Sequence, residues 1–117
     1  MSDEVNDLFE EFTPGTTGMA VIFLPGLQGS MLELGSIPKA VKKLGHTSCI
    51  PRIHGYSAQS GYDTFDIWLS ELDTVVNLLL ENHNQVCLVG LSMGATLAIA
   101  YEADYQKGLP VVALRSE

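Results

Sequence analysis

The stretch from Val86 to Ala100 constrains this chain more than any other. It runs Val86-Cys87-Leu88-Val89, then Gly90-Leu91-Ser92-Met93-Gly94, then Ala95-Thr96-Leu97-Ala98-Ile99-Ala100. An apolar run of four followed by small residues predicts a buried strand, a tight turn and a helix packed close on the strand it follows. The turn has the form Gly-x-Ser-x-Gly, in which the serine stands at the apex of a strained strand-to-helix bend. The spacing has a mechanical cause. If the helix folds back on the strand, the positions two before and two after Ser92 come into van der Waals range, and only glycine or a comparably small residue fits there. The peptide N–H of Met93 then lies at a helix N-terminus, where negative charge is stabilised.

The bare pattern is a weak signal. With Gly near 7% of residues and Ser taken as similar, it arises by chance in roughly one chain of this length in twenty-five or thirty. Its setting between a strand and a helix is the context the chemistry requires, and that makes it strong.

The rest of the chain alternates in kind. Met19-Ala20-Val21-Ile22-Phe23-Leu24 is an uninterrupted apolar run closed by Pro25-Gly26, as expected of a strand covered on both faces. Ser36-Ile37-Pro38 opens a helix with a serine cap and a proline in the first turn. Ile37, Ala40, Val41 and Leu44 are expected on its buried face, and Gly45 ends it. Thr47-Ser48-Cys49-Ile50 reads as a second strand, leading into a loop from Pro51 to Tyr62. Asp63 or Thr64 is expected to cap the longest helix. Phe65, Trp68, Leu69, Leu72, Val75, Val76, Leu79 and Leu80 recur at helical spacing there, with Asp66, Glu71 and Asp73 facing water. His83, just past that helix, is expected to be solvated and favourable to the helix dipole. The helix after Ser92 should run to about Lys107 and close at Gly108, before a last strand, Val111-Val112-Ala113-Leu114.

This order predicts an α/β fold: a three-layer sandwich with a mostly parallel sheet of four strands in the order 2-1-3-4. The switch in strand order then falls between the first and third strands, where ligands bind in such sheets, with the loop after Leu24 beside Ser92. One domain is expected, with residues 17–117 as core and 1–16 as an acidic lead. In that lead, Val5, Leu8, Phe9 and Phe12 have helical spacing, yet Phe9 and Phe12 could equally cover a sheet edge.

Composition narrows the function classes. The 117 residues carry a formal net charge of −8 with only six Lys and Arg, which argues against nucleic acid or an anionic membrane as partner. Apolar residues make up 46%, as in a folded globular chain, and no apolar run is long enough for a membrane span. The acidic start lacks a signal peptide's positive region, so a cytoplasmic location is expected. Cys49 and Cys87 fall in strand candidates and read as buried thiols. His46, Cys49 and His54 match no zinc spacing, so no metal is expected. Gln28 stands where a dinucleotide fingerprint needs glycine, and no Gly-Lys-Ser/Thr occurs. No cofactor is implied.

With these residues in view, the chain resembles the alpha/beta-hydrolase superfamily, in particular small bacterial carboxylesterases and monoacylglycerol lipases. The resemblance rests on Val21 to Ser30 with its Pro25-Gly26-Leu27-Gln28-Gly29-Ser30 loop, Pro51-Arg52 with the later His54-Gly55, Asp66-Ile67-Trp68-Leu69, and Val89 to Gly94. It covers residues 17 to 114. It implies that Ser92 is the nucleophile, that the backbone N–H groups of Leu27 and Met93 form the oxyanion hole, and that Gly90 and Gly94 are the elbow glycines. Gly26 and His54 are candidate pocket-lining residues. The implied substrate is a small-molecule ester with an acyl chain, opened through an acyl-enzyme. Pro25 stands where the family usually has histidine, and Ala95 where a further glycine is common.

The partners of the nucleophile are the main departure. The superfamily's triad runs Ser, then Asp or Glu, then His, yet no histidine follows Ser92, and the only later aspartate, Asp104, falls inside the helix after the turn. The chain therefore resembles the first half of an esterase and is expected to be inactive alone. Two alternatives use the same residues: a non-catalytic ligand- or partner-binding remnant, and a thioesterase or acyltransferase.

Overall fold

The computed structural model describes residues 7–26, 34–53 and 65–114. Among them lie five strands, β1 (Phe9–Thr13), β2 (Met19–Leu24), β3 (Thr47–Pro51), β4 (Gln85–Leu91) and β5 (Val111–Leu114). Three helices accompany them, α1 (Ile37–Lys43), α2 (Phe65–Asn82) and α3 (Met93–Tyr105). The strands form one sheet in the order β1-β3-β2-β4-β5. Pairings β2/β3, β2/β4 and β4/β5 are parallel, and β1/β3 is antiparallel. The expected order of four parallel strands is therefore present, extended by one antiparallel strand beside β3. That strand lies within the acidic lead. Phe9 is buried at 4% exposure and tilts against Phe12 at 4.9 Å between ring centroids. Of the two readings of this segment, the sheet edge is the one adopted.

β2 is central because both its faces are apolar. Ala20, Ile22 and Leu24 join Trp68, Leu69, Leu72, Val75, Val76, Leu79, Leu88, Leu97 and Tyr101 in one buried cluster. Val21 and Phe23 point the other way, to Leu34, Ile50, Val89 and Leu91. This follows from the period of two along a strand combined with a run that never turns polar. The register sets Leu24 of β2 opposite Gly90 of β4, so the chain leaving β2 emerges beside the turn after β4.

Several local expectations are corrected. α1 buries Pro38 and rests Val41 on the sheet, while Ile37 and Leu44 are exposed at 39% and 68%; Ala40 is exposed as well. Pro38 and Val41, three residues apart, therefore mark the covered side of this short helix, which is rotated from the stripe expected through Ile37, Ala40 and Leu44. Ser36 precedes α1 but makes no side-chain cap hydrogen bond. Leu80 of α2 is 37% exposed. The expected caps Asp63 and Thr64 lie outside the described residues. α3 ends at Tyr105, before Lys107, and Gln106 takes the left-handed conformation at φ 51°. No helix among the described residues is long and apolar enough to cross a membrane.

Candidate active site

The turn between β4 and α3 has the strained geometry that the glycine spacing implies. Ser92 has φ 58° and ψ −116° and is exposed, a backbone conformation that costs an L-residue about 1–3 kcal/mol. The bend is tight on both sides. A Cβ on Gly90 would strike the carbonyl of Gly94 and come within 2.6 Å of Ala95 Cα. A Cβ on Gly94 would strike the carbonyl oxygen of Leu24 and come within 2.6 Å of its carbon and 2.8 Å of Pro25 O. The same contact that excludes a side chain at Gly94 thus brings the end of β2 against the start of α3. Gly26 follows and is buried.

Backbone hydrogen bonds hold Ser92 in place. Its N–H donates to Leu114 O of β5 at 3.0 Å, and its carbonyl accepts from Ala95 N and Thr96 N at 3.0 and 3.2 Å. Its side chain makes no capping hydrogen bond to the helix that it precedes, so its hydroxyl is not committed to capping. Met93 opens α3, and the first amides of a helix have no intrahelical acceptor. An exposed hydroxyl, a neighbouring amide at a helix N-terminus and a strand end pressed alongside form the local arrangement that nucleophilic attack and oxyanion stabilisation need. Leu27 and His54, the other two candidates, lie outside the described residues. Asp104 is exposed on α3.

The remaining polar groups are structural. Cys49 is 1% exposed, donates to Val21 O at 3.7 Å, and burial pushes its thiol up to about 12. Burial also raises Cys87. Neither is a thiolate at neutral pH. Among the described residues, no three His, Cys, Asp or Glu are grouped closely enough to hold a metal.

Two polar links were not foreseen. His83 is half-buried, not solvated. Its Nδ1 meets Leu79 O at 3.0 Å and its Nε2 meets Thr47 Oγ1 at 2.9 Å. A carbonyl only accepts, so Nδ1 carries a proton; in the neutral ring Nε2 then accepts from the threonine hydroxyl, and that oxygen accepts from Gly15 N at 2.9 Å. The second link is Tyr101, fully buried on α3, which donates to Asp73 Oδ1 on α2 at 2.6 Å. Burial, followed by that hydrogen bond and the carboxylate's charge, raises the phenol's pKa. Asp73 is accordingly half-buried and does not simply face water. A tyrosine one turn after Leu97 and Ala98, on the face of α3 that is buried, is the signal that was available, because a buried phenol needs an acceptor.

No family model matches the chain. A thermostable monoacylglycerol lipase of Bacillus sp. (strain H-257) is 27% identical over 101 residues, 82% of this chain and 39% of that enzyme. Among solved structures, one from the LipS and LipT pair of metagenome-derived lipolytic enzymes is similar at TM-score 0.73 and 18% identity, over 88% of this chain and 43% of the other. The Paleococcus ferrophilus monoacylglycerol lipase is similar at TM-score 0.72 and 19% identity, over 91% and 42%. An alpha/beta hydrolase from a sediment metagenome of the Mar Chica lagoon, Morocco, is similar at TM-score 0.70 and 19% identity, over 91% and 50%. The chain thus spans about half or less of the length of the proteins it matches. Its fold is similar to part of that of solved alpha/beta hydrolases and lipolytic enzymes, and its sequence is similar to that of a monoacylglycerol lipase.

Proposed function

We propose that this chain carries the nucleophile and part of the oxyanion site of a carboxylic ester hydrolase of the carboxylesterase or lipase type. Ser92 Oγ attacks the ester carbonyl, the alcohol leaves, and water releases the acyl group from the serine. The N–H of Met93, together with that of Leu27, stabilises the oxyanion formed at each tetrahedral step. The observation that carries this reading is the exposed Ser92 at φ 58°, on a bend whose two glycines admit no side chain. Such strain, at a position with no structural use for the hydroxyl, is characteristic of a site held ready for chemistry. The lipolytic relatives support the substrate class.

A serine without a base is a poor nucleophile. The 117 residues contain no histidine after Ser92, and loss of a triad member leaves roughly 10³ to 10⁴-fold catalysis over water. The chain alone is therefore expected to turn over ester negligibly. Treatment with a fluorophosphonate probe tests both parts. Slow modification confined to Ser92, and absent from the Ser92→Ala protein, is the expected result. Fast stoichiometric labelling would disprove the inactivity, and labelling that spares Ser92 would disprove its role as nucleophile.

A further inference from the structure

Ser92 begins a closed unit of the chain. From it α3 runs to Tyr105, a short connection turns back, and β5 follows. The last residue of β5, Leu114, then accepts the Ser92 N–H at 3.0 Å. The hold on Ser92 therefore depends on where β5 lies along β4, and that is set where β5 begins. Leu88 N donates to Pro110 O at 2.9 Å, and the register runs unbroken from Leu88 opposite Val111 to Leu91 opposite Leu114. A strand that is displaced along its partner moves every rung together, so a shift before Pro110 carries Leu114 O with it.

One side chain fastens the connection that precedes Pro110. Gln106 and Gly108 are both left-handed, at φ 51° and 76°, and the chain leaves the helical pattern of hydrogen bonds there. Gln106 N still reaches Glu102 O at 2.9 Å, but Gly108 N donates to the side chain of the same residue, at Glu102 Oε1. Leu109 is buried in the larger apolar cluster, and Pro110 then opens the ladder.

Glu102 is badly placed for helix stability. It lies in the last turn of α3, where the helix dipole opposes a negative charge, and no basic residue shares that turn. Its second oxygen, Oε2, is buried with no hydrogen-bond partner among the described residues, a further cost. The adjacent phenol of Tyr101 is committed to Asp73. A methionine at this position would avoid both costs. What the carboxylate supplies in return is an acceptor for the Gly108 amide.

We propose that Glu102 is a positioning residue for the ester-hydrolase site. By holding Gly108 it fixes β5 along β4, and through Leu114 O it keeps Ser92 at the bend, beside the Met93 amide. The role assigned to Glu102 rests on that of Ser92 as nucleophile.

The test compares three variants with the parent, well below the onset of urea unfolding. Glu102→Met removes the acceptor at similar volume and with high helix preference. Glu102→Gln keeps an acceptor for Gly108 N. Thr47→Val loosens the opposite end of the sheet. Glu102→Met should stay folded by circular dichroism, react with fluorophosphonate at Ser92 about tenfold more slowly, and exchange the Ser92 amide about tenfold faster, as for loss of one charge-assisted hydrogen bond. Glu102→Gln should stay within about threefold of the parent in both, because a neutral acceptor is about half as strong. Thr47→Val should change neither, although it is less stable. Parental rates in Glu102→Met, a Glu102→Gln protein as slow as Glu102→Met, or loss of the fold in either one would overturn the proposal. So would a Thr47→Val protein slowed as much as Glu102→Met, since any loss of stability would then slow the serine. Amide exchange separates the two readings. If the Ser92 amide follows the expected order but no protein is labelled at Ser92, Glu102 still fixes the bend and the hydrolase reading fails. If the parent is labelled and the variants match it, the hydrolase reading stands and the role of Glu102 fails.

Discussion

The two ends of the sheet use their polar residues in opposite ways. Where the parallel strands begin, side chains and backbone are tied to one another. Thr47 Oγ1 joins Gly15 N and His83 Nε2, His46 Nδ1 meets Thr17 Oγ1 at 2.6 Å, and the amides of Thr16 and Thr17 both donate to Gly45 O. Where the strands finish, Ser92 is held by its backbone alone, in a strained conformation, with its side chain left out of the helix cap. One end satisfies its polar groups internally and so stabilises the fold. The other keeps a polar group exposed at a cost in backbone energy, which a structure tolerates only when its surroundings fix it. The difference teaches that the strain at Ser92 and the braces at Thr47 belong to one design, and each can be probed against the other.

The largest effect is expected where the strained end is clamped. Gly94→Ala drives a methyl into the carbonyl of Leu24, an atom of the central strand that cannot swing aside as a side chain would. A loss of about 3 kcal/mol or more in urea unfolding is expected, or failure to fold. Gly90→Ala should behave alike, since its methyl meets the carbonyl of Gly94. Parental stability in either protein would show that β2 and α3 are not held together at the bend.

At the braced end the expected loss is smaller and leaves the other end untouched. Thr47→Val keeps the shape of the side chain, buried at 2% exposure, but removes the oxygen shared by Gly15 and His83. Leaving those two groups without their partner costs about 1–3 kcal/mol, read as a lower urea midpoint at unchanged slope. The rate of fluorophosphonate modification at Ser92 should not change. If Thr47→Val slows that rate as well, the two ends are coupled and the contrast between them fails.

How far the sequence revealed each end follows from the range of the interactions involved. The bend around Ser92 was legible because its constraint is local: two glycines four residues apart report a backbone contact directly, and the strand and helix beside them differ in pattern. The continuous run Met19 to Leu24 announced the central strand for the same reason. The braces were not legible. Thr47 and His83 are 36 residues apart, and nothing near either one distinguishes a bonded residue from a solvated one. β1 was ambiguous because Phe9 and Phe12 stand three residues apart, a helical spacing, and only the register shift between Phe9 and Glu11 lets both join one apolar cluster from an extended strand. Its partner β3 decides the matter, and that pairing is again long-range. Leu27 and His54 lie outside the described residues, so the oxyanion loop and the pocket wall rest on the resemblance alone.

The smallest effect has the opposite sign and isolates the strain itself. Ser92→Ala and Ser92→Gly both remove the hydroxyl and should both abolish labelling, but only glycine relieves a φ of 58°. The alanine protein should unfold within about 0.5 kcal/mol of the parent, because an exposed side chain with no structural hydrogen bond is exchanged for a smaller one. The glycine protein recovers the backbone cost of about 1–3 kcal/mol and loses about 0.4–1 kcal/mol to the freer unfolded chain. A net gain of about 1 kcal/mol is therefore expected over Ser92→Ala, measured from paired urea curves. Because the two variants differ only in a methyl group that faces water, a glycine protein no more stable than the alanine one would mean that the bend stores no strain. The serine end would then be held no differently from the end that Thr47 braces.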